Sequence, residues 1–216
     1  MFGEIAPRYD LLNHLLSLNI DRRWRRRTVA LAQPQGPVLD VCTGTGDLAA
    51  AFARRTGGAV TGVDFCAPML RAGVRKKACR RVRFVRGDAM RLPFPSGSFD
   101  VVSVGFGIRN VSDLDLGLAE LVRVARPGGR IAILEFTRPK NRFFRGLYFF
   151  YFGKVLPAVG NFVSRSRAYT YLNRSVLDWT SESALAARLG AAGCREVTVH
   201  PLTFGIAAVH LGVKAG

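Results

Sequence analysis

A short apolar run, VLDV (38 to 41), passes directly into the loop Cys42-Thr43-Gly44-Thr45-Gly46-Asp47 and then into a helical stretch at 47 to 56. No other feature constrains the fold as much, because Gly44 and Gly46 permit the tight turn and close backbone approach that a strand-loop-helix unit makes at a bound ligand. The rhythm continues downstream. AVTGVD (59 to 64), VRFVRGD (82 to 88), FDVVSV (99 to 104) and RIAILEF (130 to 136) are short β-rich runs, with helical stretches at 67 to 78 and 113 to 125. Such alternation predicts an α/β fold, a mostly parallel sheet with helices on both faces. Two more runs, REVTVH (195 to 200) and IAAVHLGV (206 to 213), follow a last helix at 181 to 192. The connection between them is too short for a crossover, so they pair as an antiparallel hairpin at one edge of a seven-stranded sheet.

The ligand is narrowed by residues beyond the loop. Taken alone, the G-x-G-x-x-A outline of Gly44, Gly46 and Ala49 suits a dinucleotide equally well. Asp64 ends the second strand, 18 residues past Gly46, where a carboxylate accepts two hydrogen bonds from ribose hydroxyls. Asp88-Ala89 ends the third strand, at the place of an adenine amine and edge. Asp40 and Asp47 add negative charge around the loop, which suits a cationic sulfonium and ammonium and opposes a pyrophosphate, although Asp47 also fits a helix cap. S-adenosyl-L-methionine is therefore expected as the cofactor in preference to NAD. A parallel sheet closed by an antiparallel hairpin is the arrangement of the class I S-adenosylmethionine-dependent methyltransferases.

Charge speaks to partners and not to fold. The 216 residues carry 32 Lys+Arg against 15 Asp+Glu, a net charge of +17, which attracts phosphates or anionic lipid headgroups. Only five of the basic residues are Lys, so part of the arginine excess reads as genomic composition. An RNA-directed enzyme would normally carry an aromatic stacking platform beside basic residues, or an appended binding module; no such module is found, and no nucleic acid partner is expected. Cys42, Cys66, Cys79 and Cys194 form no C-x-x-C pair, so neither a zinc site nor a disulfide framework is expected and a reducing cytoplasm fits. His14, His200 and His210 are isolated, and no metal is expected. The start, MFGEIAPRYD, lacks the apolar stretch of a signal peptide, and no uncharged run reaches the length of a membrane span. A soluble protein and one peripheral at the inner face of the membrane both remain open.

A single domain over 1 to 216 is expected, with a helical cover over 1 to 37 and a lid or acceptor-side insertion over 138 to 180. Within the insertion, Phe144, Leu147, Tyr148, Tyr151, Phe152 and Val155 fall on one helical face of the stretch 142 to 163, while Phe143, Phe149 and Phe150 fall off it. That aromatic surface suits an isoprenoid tail or a membrane interface, and equally a homodimer contact or the core of a large lid. In the cover, Leu16, Ile20 and Trp24 form an i, i+4, i+8 stripe, so Trp24 is expected to be buried with the flanking arginines in solvent.

The segments IAPRYDLLNHLLSLNIDRRWRRR, VLDVCTGTGDLA, GDAMRLPFPSGSFD, VSVGFGIRNVSD, RVARPGGRIAILEFTRP and LTFGIAAVHLGVK together resemble the ubiquinone/menaquinone biosynthesis C-methyltransferase family. RYDLLN, GFGIRNV and GIAAVH are the specific parts; the donor loop is shared with many methyltransferases. The resemblance implies methylation of a prenylated quinol ring, demethylmenaquinol to menaquinol or the ubiquinone counterpart. It also implies cofactor contacts at Thr45, Asp64, Asp88 and Ala89, and roles around the reacting ring for Tyr9, Arg109 and Asn110. Gly105 stands where members acting on ubiquinone precursors often carry Ser, Asn19 where Gly is usual, and Trp179-Thr180 where an aromatic or His precedes Pro. A ring carbon becomes nucleophilic when the neighbouring hydroxyl ionises, so Arg109 is expected to stabilise a phenolate, with a water held by Tyr9 and Asn110 carrying the proton. The alternative is an Arg109 that pairs with Asp113 or Asp115 to fix a helix start. A phenolic acceptor other than a quinol, or a noncatalytic binding protein on this fold, also stays open.

Overall fold

The structure is a computed structural model that describes residues 10, 13, 14, 17–139, 146 and 179–216. Tyr9 and nearly all of the 142 to 163 segment lie outside the described residues. The elements run α1 (Ile20–Ala32), β1 (Val38–Val41), α2 (Asp47–Ala53), β2 (Val60–Asp64), α3 (Ala67–Val74), β3 (Val82–Arg86), β4 (Phe99–Gly105), α4 (Leu114–Val124), β5 (Ala125–Phe136), α5 (Glu182–Ala191), β6 (Cys194–Leu202) and β7 (Ala207–Lys214).

The seven strands form one sheet in the order β3-β2-β1-β4-β5-β7-β6. β1 to β5 are parallel, and β7 runs antiparallel to both β5 and β6, which is the expected edge hairpin. β1 is buried at every residue and β4 as far as Val104, because helices cover both faces of central parallel strands; hence their unbroken apolar runs. The edge strand β6 is blunted by Pro201 and by a register shift between Arg195 and Thr198, where Glu196 has φ 53°. Two boundaries differ from the sequence reading by four residues or more. The helix expected to reach 78 ends at Val74, with a 3₁₀ turn over Lys77–Cys79, and β5 begins at Ala125 because that residue pairs with Phe99 ahead of the turn carrying Gly128.

Strand alternation divides the core. Leu39 and Val41 face Leu118 and Leu121 of α4 and Leu185 and Leu189 of α5, whereas Val38 meets Leu48 and Phe52 of α2 and Val29 and Ala32 of α1. Asn19, just before α1, has φ 60° and ψ 9°, a left-handed conformation that Asn tolerates in place of Gly. Trp24 is only 6% exposed and donates from Nε1 to Thr203 Oγ1 at 2.8 Å, while Arg22, Arg23, Arg26 and Arg27 lie in solvent, as the stripe predicts. Ser181 Oγ accepts from the Ala184 N–H, so α5 keeps an ordinary N-cap after Trp179-Thr180.

The strand order places the site. From β1 the chain moves outward through β2 to β3, then returns to the other side of β1 as β4. The order reverses between β1 and β4, and at such a point the loops leaving the carboxyl ends of the strands diverge and open a crevice.

Candidate functional site

The loop leaving β1 holds three left-handed residues, Cys42 (φ 53°), Gly44 (φ 58°) and Gly46 (φ 85°). A Cβ on Gly46 would lie 2.7 Å from the Phe84 ring, whereas one on Gly44 would meet no heavy atom within 4 Å. Gly46 is thus required by packing, and the open side of Gly44 is where a ligand can reach the backbone. Asp64, at the end of β2, accepts the Gly44 N–H on Oδ2 at 2.7 Å and the Cys66 N–H on Oδ1 at 2.8 Å. Each oxygen keeps a second lone pair for a ligand hydroxyl. Burial pushes this carboxyl up and the backbone hydrogen bonds oppose it.

Asp88 follows β3 and accepts the Met90 N–H at 2.9 Å; Ala89 packs against the core. The segment beyond them is pinned by Glu120, which accepts the Leu92 N–H at 2.7 Å, and by Arg123, which donates to the Leu92 and Phe94 carbonyls. Open backbone at Gly44, two spare acceptor positions on Asp64 and the neighbouring Asp88-Ala89 edge fit a nucleoside whose ribose and base extend from the loop across β2 and β3.

The charge assigned to Asp47 is balanced by cations, and the carboxyl of Asp40 is held by neutral hydrogen-bond donors. Asp40 is 1% exposed and lies beneath the loop, accepting from Thr43 Oγ1 at 2.6 Å, Ser103 Oγ at 2.8 Å and the Ala49 N–H at 3.2 Å. Asp47 pairs with Lys76, and has Arg25 at 3.8 Å and His14 at 3.5 Å. Lys76 also pairs with Asp10 at 2.7 Å, and Thr45 Oγ1 donates to Asp10 at 2.5 Å. The Thr45 side chain is therefore spent inside this network, leaving its backbone for a ligand. His14 Nδ1 lies 2.8 Å from Asp21, and Asp21 also takes Arg25. Asp21, Asp47 and His14 could geometrically surround a metal ion, but Arg25 and Lys76 already sit on the carboxylates, making the cluster an ion-pair network. Sequence spacing held no sign of Asp10, Arg25 or Lys76 here, since they meet only through tertiary packing.

Burial raises the Asp40 carboxyl to about 6, against the hydrogen bonds from Thr43, Ser103 and Ala49. The native state therefore holds a proton that the unfolded chain releases, and the stabilisation is complete below about pH 4 and lost as pH rises through about 6. Asp40→Asn is expected to flatten that part of the stability profile, by roughly 3 kcal/mol between the two ends. Chemical denaturation at a series of pH values checks it; equal slopes for both proteins would show that Asp40 is ionised throughout.

Opposite the donor loop, β4 leads into a turn in which Phe106 has φ 57° and its N–H donates to the Leu134 carbonyl at 2.8 Å. Gly107 follows; a Cβ there would lie 2.3 Å from the Cys42 Cβ, so this turn and the donor loop are in direct contact. Burial, with Asp64 foremost among the surrounding carboxylates, pushes the Cys42 thiol far above its usual range and keeps it neutral. Arg109, on the 3₁₀ turn Ile108–Asn110, donates from Nη1 to the Phe106 carbonyl at 2.8 Å and to Glu135 Oε1 at 2.5 Å. Its guanidinium carbon lies 5.5 Å from the centre of the Phe136 ring, and Phe136, Phe106 and Trp24 form an aromatic cluster. The pairing with Asp113 or Asp115 is not formed: Asp113 accepts the Leu116 N–H and caps α4, while Asp115 pairs with Arg188. Asn110 is exposed beside Arg109. Glu135 was missed by sequence reasoning, although a single carboxylate in the apolar run RIAILEF is a signal for it.

The profile of the ubiE/COQ5 methyltransferase family matches residues 1–214. A demethylmenaquinone methyltransferase of Thermus thermophilus is 50% identical over 218 residues, covering 98% of this chain and 99% of the relative. A ubiquinone/menaquinone biosynthesis C-methyltransferase of Geobacter sulfurreducens is 45% identical, covering 99% and 87%. Among solved structures, a putative S-adenosylmethionine-dependent methyltransferase of Methanococcus maripaludis superposes with a TM-score of 0.70 at 15% identity, covering 100% of this chain and 95% of that one. At that identity the likeness shows the fold alone.

Proposed function

Because this chain belongs to the ubiE/COQ5 methyltransferase family, we propose that its acceptor is demethylmenaquinol, which it converts to menaquinol. It is an S-adenosylmethionine-dependent C-methyltransferase of menaquinone or ubiquinone biosynthesis. The observation that carries the acceptor-side reading is the contact of Gly107 with Cys42, which brings the Arg109 turn against the donor loop at the reversal of strand order. A donor on one loop and a phenolic ring beside the other are then neighbours.

S-adenosylmethionine supplies an electrophilic methyl on a sulfonium. In this reading the backbone of Gly44, Thr45 and Gly46, the Asp64 carboxylate and Asp88-Ala89 hold it. Arg109 faces the ring oxygen whose ionisation makes the adjacent carbon nucleophilic, and the Phe106–Phe136 pair beside it offers an apolar wall. Tyr9 and Asn110 complete the ring site by family resemblance. The naphthoquinol choice is supported by the Thermus relative and by Gly105, which stands where members acting on ubiquinone precursors often carry Ser. Among the described residues no helix is long and apolar enough to cross a membrane. The exposed arginines of α1 suit docking on an anionic inner leaflet, where a prenylated acceptor is dissolved.

Turnover on demethylmenaquinol and on a demethylated benzoquinol, each in vesicles with and without anionic lipid and beside an RNA control, tests this reading. The expected result is a preference of about tenfold or more in kcat/KM for the naphthoquinol, enhanced by anionic lipid and weakened by salt. Equal turnover on the benzoquinol, or methylation of RNA, would overturn the acceptor assignment.

A further inference from the structure

Arg109 stabilises a phenolate only if its charge is available when the phenolate forms, yet its Nη1 already donates to Glu135 Oε1 at 2.5 Å. The Glu135 side chain is fully buried and Arg109 is 5% exposed. A buried carboxylate at this distance cancels most of the field the guanidinium would exert on a second anion. Glu135 Oε1 also accepts the Phe136 N–H at 2.9 Å, while Oε2 is buried without a hydrogen-bond partner among the described residues. A buried acceptor left unsatisfied is costly, which makes Oε2 a position waiting for a donor.

We propose that Glu135 is the proton acceptor of the reaction, taking the acceptor's phenolic proton on Oε2 directly or through one water, so that Arg109 is released from its partner as the phenolate appears. The inference rests on the quinol reading above. In the step, the ring O–H bond breaks and its electron pair stays on oxygen; the Oε2–H bond forms. The pair delocalises to the adjacent ring carbon, which takes the methyl while the C–S electrons remain on sulfur. The ring carbon then loses its own proton to solvent as aromaticity returns, and the ring oxygen takes its proton back from Oε2, which restores the Glu135 carboxylate and gives one net proton per methyl transferred.

The charge balance favours this arrangement. Before the step, the site holds Arg109 positive, Glu135 negative and a neutral quinol; after it, Arg109 positive, Glu135 neutral and a phenolate. The net charge is unchanged, so no uncompensated ion is created in a site of low dielectric. Burial pushes the Glu135 carboxyl up, and the Arg109 charge opposes that shift. Of the titratable groups around it, Arg109 comes from the turn after β4 and Cys42, held as a neutral thiol, from the donor loop; Arg25 of α1 lies over the Phe106 ring. Its β7 neighbour is Ala208, which carries no charge.

Glu135→Gln keeps the side-chain shape and an acceptor for Arg109 but takes no proton. It is expected to lower kcat by about 10²–10³-fold, to leave the calorimetric affinity for S-adenosylmethionine unchanged, and to remove the acid limb of the kcat/KM profile. The second readout is independent of turnover. With S-adenosylhomocysteine and demethylmenaquinol bound, wild type should show the infrared carbonyl band of a protonated carboxylic acid, absent from Glu135→Gln. A Gln variant with wild-type kcat and an unchanged acid limb, or the same band in both proteins, overturns the proposal. If wild type methylates no quinol, the functional reading fails, while the infrared comparison with a bound phenolic ligand still decides whether Glu135 takes the proton.

Discussion

Arg109→Lys is expected to lower kcat on the order of 10²–10³-fold with little change in affinity for S-adenosylmethionine. Lysine keeps the charge, but an ammonium placed where Nη1 sits, held by the Phe106 carbonyl and Glu135, lacks the further guanidinium N–H groups that Arg109 can present to a ring oxygen. Arg109→Ala should do something different. It leaves the Glu135 carboxyl buried without its partner, a defect worth about 3–5 kcal/mol of stability. Adding Glu135→Gln to Arg109→Ala should restore much of that stability and none of the turnover. Thermal unfolding of the two single variants and the double, beside their steady-state kinetics, separates the roles. Near-normal turnover of Arg109→Lys with an unchanged pH profile would remove Arg109 from the chemistry.

Asp64→Ala is expected to weaken S-adenosylmethionine binding by about 10²-fold or more, since hydrogen bonds to a charged acceptor contribute about 1.5–3 kcal/mol each. The loss has two sources. The ribose hydroxyls lose their acceptor, and the Gly44 and Cys66 N–H groups lose the carboxylate that orders the loop. Asp64→Asn keeps one acceptor oxygen and should fall between the two proteins. Titration calorimetry with S-adenosylmethionine and with S-adenosylhomocysteine measures both, and an Asp64→Ala protein that binds at wild-type affinity would place the cofactor elsewhere.

Much of the sheet could be read from the chain because burial on two faces makes β1 and β4 unbroken apolar runs, while the short connection after β6 leaves only an antiparallel return. The glycines of the donor loop were legible because the tight turn holds both at positive φ, and at Gly46 a side chain also has nowhere to go. Pairings between charged residues distant in sequence were not legible. Asp47 looked like free negative charge beside the ligand, and Lys76, 29 residues away, neutralises it. Arg109 looked free to face a ring oxygen, and Glu135, 26 residues away, holds it. No local period encodes such contacts; they follow from which strands become neighbours, here β4 and β5. That pairing also sharpens the chemistry, because a cation with a buried partner acts on a substrate anion only when the partner is neutralised.

Methyl transfer from methyl-labelled S-adenosylmethionine to demethylmenaquinol, with the product's label located by NMR, decides whether the enzyme methylates a quinol carbon. Label is expected in a methyl group on the ring carbon, with one S-adenosylhomocysteine formed per methyl transferred. Label on a ring oxygen, or none in the quinol while cofactor binding is intact, would contradict methylation of a quinol carbon.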